Sequence, residues 1–317
     1  MLKYIVKRVL LMIPVIVGIS FLVFGLLELS PSDPAELILG IRATPESIAA
    51  LQEELGLDKP FLERYLTYMA NAIQGNFGYS YRTGLPVVEE LLARLPVTLK
   101  LSGFSILIMV VIGLPIGIIS AVKQYSLVDN LTLAGALLLS SMPGFWLGTM
   151  LLLLFALRLG ILPAVFRNDF RSYILPAITL AASNMAMLVR LTRSNMLEVE
   201  RADYMAMARA KGAPEHTVIL RHALRNALLP IVTIIGMRFI DMLGSAVIIE
   251  NVFTIPGLGS LAVLSVQQLD IPMVMGEVLF LAIVGGFLNL IVDIIYVYID
   301  PRLKSQYMRT RRKKVSA

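Results

Sequence analysis

Six long apolar stretches constrain this chain more than any other feature. They run roughly over Val9–Leu29, Val97–Val122, Leu131–Leu157, Ile174–Leu191, Leu228–Ile249 and Met275–Ile299. A helix needs about 20 apolar residues to cross a hydrocarbon core of about 30 Å. In that medium each backbone N–H and C=O must find its partner inside the segment. The reading is an all-α polytopic membrane protein with six transmembrane helices. Composition agrees: 57% of the 317 residues are hydrophobic and 16% charged, against about 25% charged in soluble domains. The first stretch follows Lys3, Lys7 and Arg8, as a signal peptide would. It is too long for one and no small-residue cleavage site follows it, so it is read as a retained span.

Basic residues set the expected orientation. The 190–225 segment holds Arg190, Arg193, Arg201, Arg209, Lys211, Arg221 and Arg225, and the tail from Arg302 to Lys314 is also basic. With six spans these lie on the same side as the N-terminus. The opposite loop 251–273 has no Lys or Arg, and in loop 30–95 acids outnumber bases. Loop 158–173, with Arg158, Arg167 and Arg171, runs against the trend. Both termini are expected in the cytoplasm. The basic residues flank spans, so the net charge of +6 points to a lipid bilayer and not to nucleic acid. With no cysteine, disulfides, thiolate metal sites and cysteine nucleophiles are excluded.

The expected organisation is an N-terminal span over 1–30, an extracytoplasmic helical loop over 31–96, and a transmembrane core over 97–300. The core carries a cytoplasmic loop over 192–227, and a basic tail over 301–317 follows. In the outer loop, Thr44-Pro45-Glu46 supplies a cap, a first-turn proline and an acid at the dipole's positive end. Gly56 closes that helix. A second helix is predicted from Pro60 to Gln74, stopping at Gly75, with Tyr65, Tyr68 and Met69 on one face. The loop is either a cap packed on the membrane surface or a seat for an external delivery protein.

The cytoplasmic loop is too long for a turn between spans. Asp203–Lys211 reads as one helix, with Met205, Ala208 and Ala210 toward its apolar side. Gly212 breaks it. Pro214 and Glu215 open a second, short amphipathic helix, with Val218, Ile219, Leu220 and Leu224 as its stripe and Arg221, His222 and Arg225 around it. Lipid head groups, a plain connector role and partner docking all remain open from these residues.

Arg238 and Asp241 fall in the fifth stretch, three residues apart. Each costs about 2.5–3.5 kcal/mol at a bilayer centre, and on one helix face they compensate one another. They form an internal pair or line a path. Glu250, Glu277, Asn289 and Asp293 are further intramembrane polar groups, the last two on one face. Gly113 and Gly117 form a GxxxG pair around Pro115, which suits close helix approach and a kink. Pro256, Gly257 and Gly259 break the chain beyond span five and are expected to begin a re-entrant gate element. GxxxxGK[ST], HExxH and GxSxG motifs are absent, which excludes the usual ATP site and common hydrolase sites.

The segment DYMAMARAKGAPEHTVILRHALRNALLP (203–230) resembles the cytoplasmic loop of binding-protein-dependent ABC importer permeases, in the dipeptide, oligopeptide and nickel branch. LGLDKPFLERYLTYM (55–69), GNFGYS (75–80), LPVTLKL (95–101), IIENVFTIPGLG (248–259) and NLIVDIIYVYIDPRL (289–303) resemble the branch in the same order. The resemblance implies a type I importer permease fold and no enzymatic activity. It also implies a second homologous permease, cytosolic ABC ATPase subunits holding ATP and Mg, and an extracytoplasmic solute-binding protein. No cofactor is expected on this chain, and no metal. The family glycine falls on Gly212 and its second alanine on Ala208, while the family glutamate falls near Ala206 and is missing. Asn76 stands where the branch often has aspartate. Coupling to the ATPase is thereby expected through Ala208, Gly212, Ala213, Pro214, Glu215, Val218, Ile219 and Arg221. Expected solutes are di- or oligopeptides. Nickel or metal chelates, metallophores and glutathione are the alternatives, favoured by a short connection between spans three and four. An intramembrane enzyme using Arg238, Asp241 or Asp293 and a passive channel are the rivals from other classes.

Overall fold

The computed structural model describes residues 2–29, 33–40 and 43–299. The basic tail expected over 301–317 lies outside them. Among the described residues the elements are helical, with one isolated antiparallel bridge between Tyr79 and Pro86. Among the described residues five helices are long and apolar enough to cross a membrane, six if one bent pair is counted as a span. The described residues divide into two compact units, those up to 98 with 255–287 and 99–254 with 288–299.

The first unit begins with α1 (Leu2–Glu28), followed by α2 (Pro34–Leu39), α3 (Pro45–Glu54) and α4 (Phe61–Ile73). Local chemistry fixes these ends. Asp33 caps α2 by accepting from the Ala35 N–H at 2.8 Å, an element with no counterpart in the sequence reading. Thr44 and Ser47 cap α3 reciprocally. Gly56 and Gly75 take φ of +66° and +82°, which glycine adopts without a β-carbon penalty. The Tyr65 face of α4 packs on α1. Tyr65 is 5% exposed, lies with its hydroxyl 2.9 Å from Ser20 Oγ, and donates to the Val17 carbonyl at 3.1 Å. Phe21 and Phe24 lie against its ring at 5.3 and 5.6 Å, and Phe61 packs in turn on both at 5.6 and 5.2 Å. Arg64 clamps Glu28 with 2.9 and 3.0 Å bonds.

Three further elements complete this unit: the start of α5 (Val87–Ile108), α13 (Leu258–Gln267), and the start of α14 (Ile271–Ile299). Phe77, Val87, Leu91, Leu258, Leu261, Met273 and Leu279 form one buried cluster. A β-carbon at Gly276 would collide with Val87 Cγ1, so glycine lets α14 approach Val87 closely.

The second unit is built around α9 (Phe170–Glu200). The shortest predicted span, Ile174–Leu191, is in fact 31 residues long. It starts at the Asp169 cap, which accepts from the Ser172 N–H at 2.8 Å. It then runs past Leu191, where the predicted span ended, through Arg193 to Glu200. α5 continues through a π-helical turn at Met109–Gly113 into α6 (Leu114–Val122). The wider turn accommodates Pro115, which lacks an N–H and crowds the preceding turn. Gly113 and Gly117 press on α9: a β-carbon at Gly117 would lie 2.7 Å from Thr192 Cβ and 2.9 Å from the Val189 carbonyl oxygen. The GxxxG pair is therefore a close helix contact.

The third predicted span, Leu131–Leu157, is not one straight helix. α7 (Leu127–Ser141) and α8 (Gly144–Leu151, continued by a π turn to Arg158) meet at 101°. Pro143 supplies the reason. It has no N–H and drives Met142 into the extended region, φ −83°, ψ 127°. α12 (Leu224–Val252) closes the unit with the end of α14. A β-carbon at Gly236 would lie 2.5 Å from Val292 Cγ1.

Candidate coupling segment and membrane polar face

α10 (Asp203–Ala210) is followed by Gly212 at φ +79°, in open space. The glycine is needed for its backbone conformation and not for room. Its N–H donates to the Arg209 carbonyl at 2.9 Å. Pro214 is the extended cap of α11 (Glu215–Thr217), which passes through a π turn at Val218–Ala223 into α12 without a break. The separate amphipathic helix expected after Gly212 is thus a correction. No residue between Glu215 and Leu224 stops helix propagation, so that stretch is the first part of span five's own helical run. The free-standing short helix is α10.

Each helix has a buried side and an open side. Met205, Val218 and Ala223 are buried. Met205 and Ala223 border a residual space of only about 10 Å³ shared with Ala121, Val122, Met196, Glu200, Arg209 and Ile219. The segment is therefore seated on the ends of α6 and α9. Val218, expected to face a partner, is fully inside. Ala208, Ala213 and Ile219 are half-buried, whereas Gly212, Pro214, Glu215 and Arg221 are exposed. Tyr204, Met207 and Leu220 are exposed apolar side chains on the open side, 43%, 61% and 57% accessible. Arg209 ties the parts together. Its Nη2 donates to Glu215 Oε1 at 2.8 Å and Glu200 Oε1 at 3.1 Å, and its Nε to Glu215 Oε2 at 3.3 Å. The guanidinium holds the Glu215 carboxyl below the usual carboxylate range. Both groups are solvated, so the pair orients more than it stabilises.

Along α12, Arg238 Nη1 donates to Asp241 Oδ2 at 3.0 Å, and its Nη2 approaches Met187 Sδ on α9 at 2.7 Å. The expected pairing is present. Asp241 nonetheless lies on the open face of the helix, in a stripe with Met237, Gly244, Ser245, Ile248 and Asn251. These residues recur at three- and four-residue spacing, one side of a helix. Ser245, Gly244 and Asn251 carried no signal of their own in the sequence; their periodicity with Asp241 was the readable clue. Glu250 lies off that stripe and is fully buried. On α14, Asn289 is exposed and Asp293 half-buried, and the Gly236–Val292 contact sets the turn of Asp293 beside that of Arg238.

Beyond α12, Thr254 takes φ +50° and Gly257 caps α13, whose first amide, Leu258, donates to Thr98 Oγ1 at 2.9 Å. Gly257 and Gly259 are buried and Pro256 exposed. With 10 residues, α13 is about 15 Å long and does not cross a bilayer. Its far end is fixed by Asp270, which accepts from Ser80 Oγ, the Tyr81 N–H at 3.1 Å and the Met273 N–H at 3.3 Å. Asn76 Oδ1 accepts from the Gly78 N–H at 3.0 Å, so the asparagine serves its turn as a neutral acceptor.

Among the described residues, five or six apolar spans, a polar stripe on the open face of α12 and a structured polar segment between spans define a polytopic membrane protein. Residues 113–305 match the family described as binding-protein-dependent transport system inner membrane component, and residues 1–102 match that family's N-terminal region. The chain belongs to this family: it is a multi-pass inner membrane protein and a permease subunit of an ABC importer, not an enzyme.

Its similarity to named permeases spans nearly the whole chain. It is 38% identical to the dipeptide transport system permease protein DppB of Alkalihalophilus pseudofirmus, over 96% of this chain and 100% of that one. It is 40% identical to the glutathione transport system permease protein GsiC of Escherichia coli (strain K12), over 96% of this chain and 99% of that one. In fold it resembles the MetNI methionine ABC transporter in an inward-facing conformation, with a TM-score of 0.58 at 17% identity, covering 67% of this chain and 96% of that chain.

Proposed function

We propose that this subunit imports di- or oligopeptides, that the Asp241–Ser245–Asn251 stripe of α12 borders the translocation path, and that the 201–223 segment receives motion from a cytosolic ATPase pair. The stripe carries the path reading. A charge, a hydroxyl and an amide along one open helix face are costly against lipid. They suit a water-filled cavity shared with a second, homologous permease. Both termini lie in the cytoplasm, and an external solute-binding protein delivers the solute. ATP and Mg belong to the partner ATPases, and this chain binds no cofactor. Closure of the ATPase pair moves α10 and the Gly212 turn. The unbroken helical run from Glu215 then tilts α12, alternating between two packings. The turn at Pro256, Gly257 and Gly259 that opens α13 forms an outer gate. Arg238 and Asp293 stand beside the path, while Glu250 is an internal structural group.

Peptide specificity is supported by the resemblance to the dipeptide permease, and the glutathione permease favours a second reading, the tripeptide glutathione. Uptake of labelled di-alanine into vesicles holding the complete complex, with glutathione as competitor, separates the two. The native chain has no cysteine, so Ser245→Cys gives a clean probe of the path. A charged methanethiosulfonate reagent is expected to label it, at a rate that changes when ATP and vanadate trap the complex. Absence of labelling in both states rejects α12 as a path helix.

A further inference from the structure

Four hydrogen bonds converge on the carboxylate of Asp129 in α7. Ser120 Oγ of α6 donates to Oδ1 at 2.6 Å, and the Tyr125 N–H of the connecting turn donates to Oδ2 at 2.9 Å. Arg193 of α9 closes on it from the far side, Nε to Oδ1 at 2.6 Å and Nη2 to Oδ2 at 2.8 Å. The Asp129 side chain is 1% exposed and that of Arg193 18%. The turn is bent to serve this site, because Tyr125 holds φ +62° without being glycine. The site lies beside a close contact of α6 with α9, where Gly117 meets Thr192, the neighbour of Arg193. Seven residues on, about two helical turns, Glu200 takes the bond from Arg209 of α10.

We propose that Asp129 and Arg193 are positioning residues for transport: they join α6, α7 and α9 so that these helices move as one when α10 is displaced. The proposal rests on reading 201–223 as the coupling segment. An apolar seam lets helices slide past one another. A bidentate guanidinium–carboxylate pair has one geometry and fixes rotation as well as distance. Satisfying every acceptor keeps the buried charges tolerable, and the pair then adds registry instead of bulk stability.

The test uses the full complex in proteoliposomes, with spin labels on Leu138→Cys in α7 and Ile178→Cys in α9. Wild-type residues at 129 and 193 are expected to give one narrow interlabel distance, the same without nucleotide and with ATP–vanadate. Asp129→Asn leaves a buried cation and is prone to misfold, so the deciding variant is the paired Asp129→Leu/Arg193→Met, which keeps apolar packing. It is expected to assemble at normal yield and to show a distribution that broadens or shifts between the two states. Di-alanine uptake per ATP hydrolysed is expected to fall about tenfold. A distance as narrow and invariant as wild type in the paired variant overturns the proposal, as does a nucleotide-dependent distance in the wild type. Retention of the ATPase on purification is read separately. Its loss in a wild-type background counts against the coupling reading and not against the joint.

Discussion

Two polar segments leave the membrane helices, residues 33–86 and residues 201–223, and they are held by different contacts. The first packs an aromatic cluster around Tyr65 against α1, while Leu62, Leu66 and Ile73 stay exposed. Tyr65, Phe61 and the caps at Asp33 and Thr44 are satisfied within one unit. The second buries Met205 and Ala223 against α6 and α9 yet leaves Tyr204, Met207 and Leu220 open, and its polar ties through Arg209 are solvated. Segments of similar helical content thus differ in their anchors. A buried aromatic cluster holds the first, solvated ion pairs tie the second, and both leave apolar side chains open.

Truncating the aromatic cluster should have the largest effect. Tyr65→Ala removes a buried ring together with its hydroxyl's bonds to Ser20 and the Val17 carbonyl, and is expected to destabilise the fold by about 3–5 kcal/mol, read as a lower melting temperature in detergent. A melting temperature equal to wild type would erase the contrast. Next, Met207→Asp and Leu220→Asp should leave thermal stability unchanged while ATPase recovered on purification falls at least about tenfold. Full recovery would show that the open face serves lipid. The smallest effect is in pH dependence, where the two segments have opposite signs. Burial is the main cause that pushes the Tyr81 phenol up to about 12, with Asp270 adding and Arg64 opposing. Its contribution is complete below the ordinary phenol value of about 10 and is lost as pH rises toward 12. Glu215 is depressed by Arg209. Its contribution holds above the usual carboxylate range and is lost as pH falls through and below it. Alkaline melting curves should therefore soften the first segment and leave the second intact. Equal alkaline loss in both, seen by hydrogen exchange, would contradict the assignment.

Much of the fold was legible because its causes are local. Apolar length marks a span, and Thr44-Pro45, Gly56, Gly75 and Gly212 start or stop helices wherever the chain goes. The Arg238–Asp241 pair was readable for the same reason, being three residues apart. Pro143 was equally visible, yet the apolar run on either side masked its bend. The Asp129–Arg193 joint was not legible, since its partners are 64 residues apart and Arg193 reads in isolation as one more basic flank of a span.

The sequence by itself determined that this chain is helical, that it lives in a membrane and where most helices begin and end, since length, caps and backbone preferences act within a few residues. Only the tertiary structure decided which side of each helix is closed. It put Val218 inside and Leu220 outside, buried Glu250 and left Asp241 open, and ran Glu215 straight into α12. Those outcomes depend on what packs alongside, and close packing is settled by side chains that are distant in the chain.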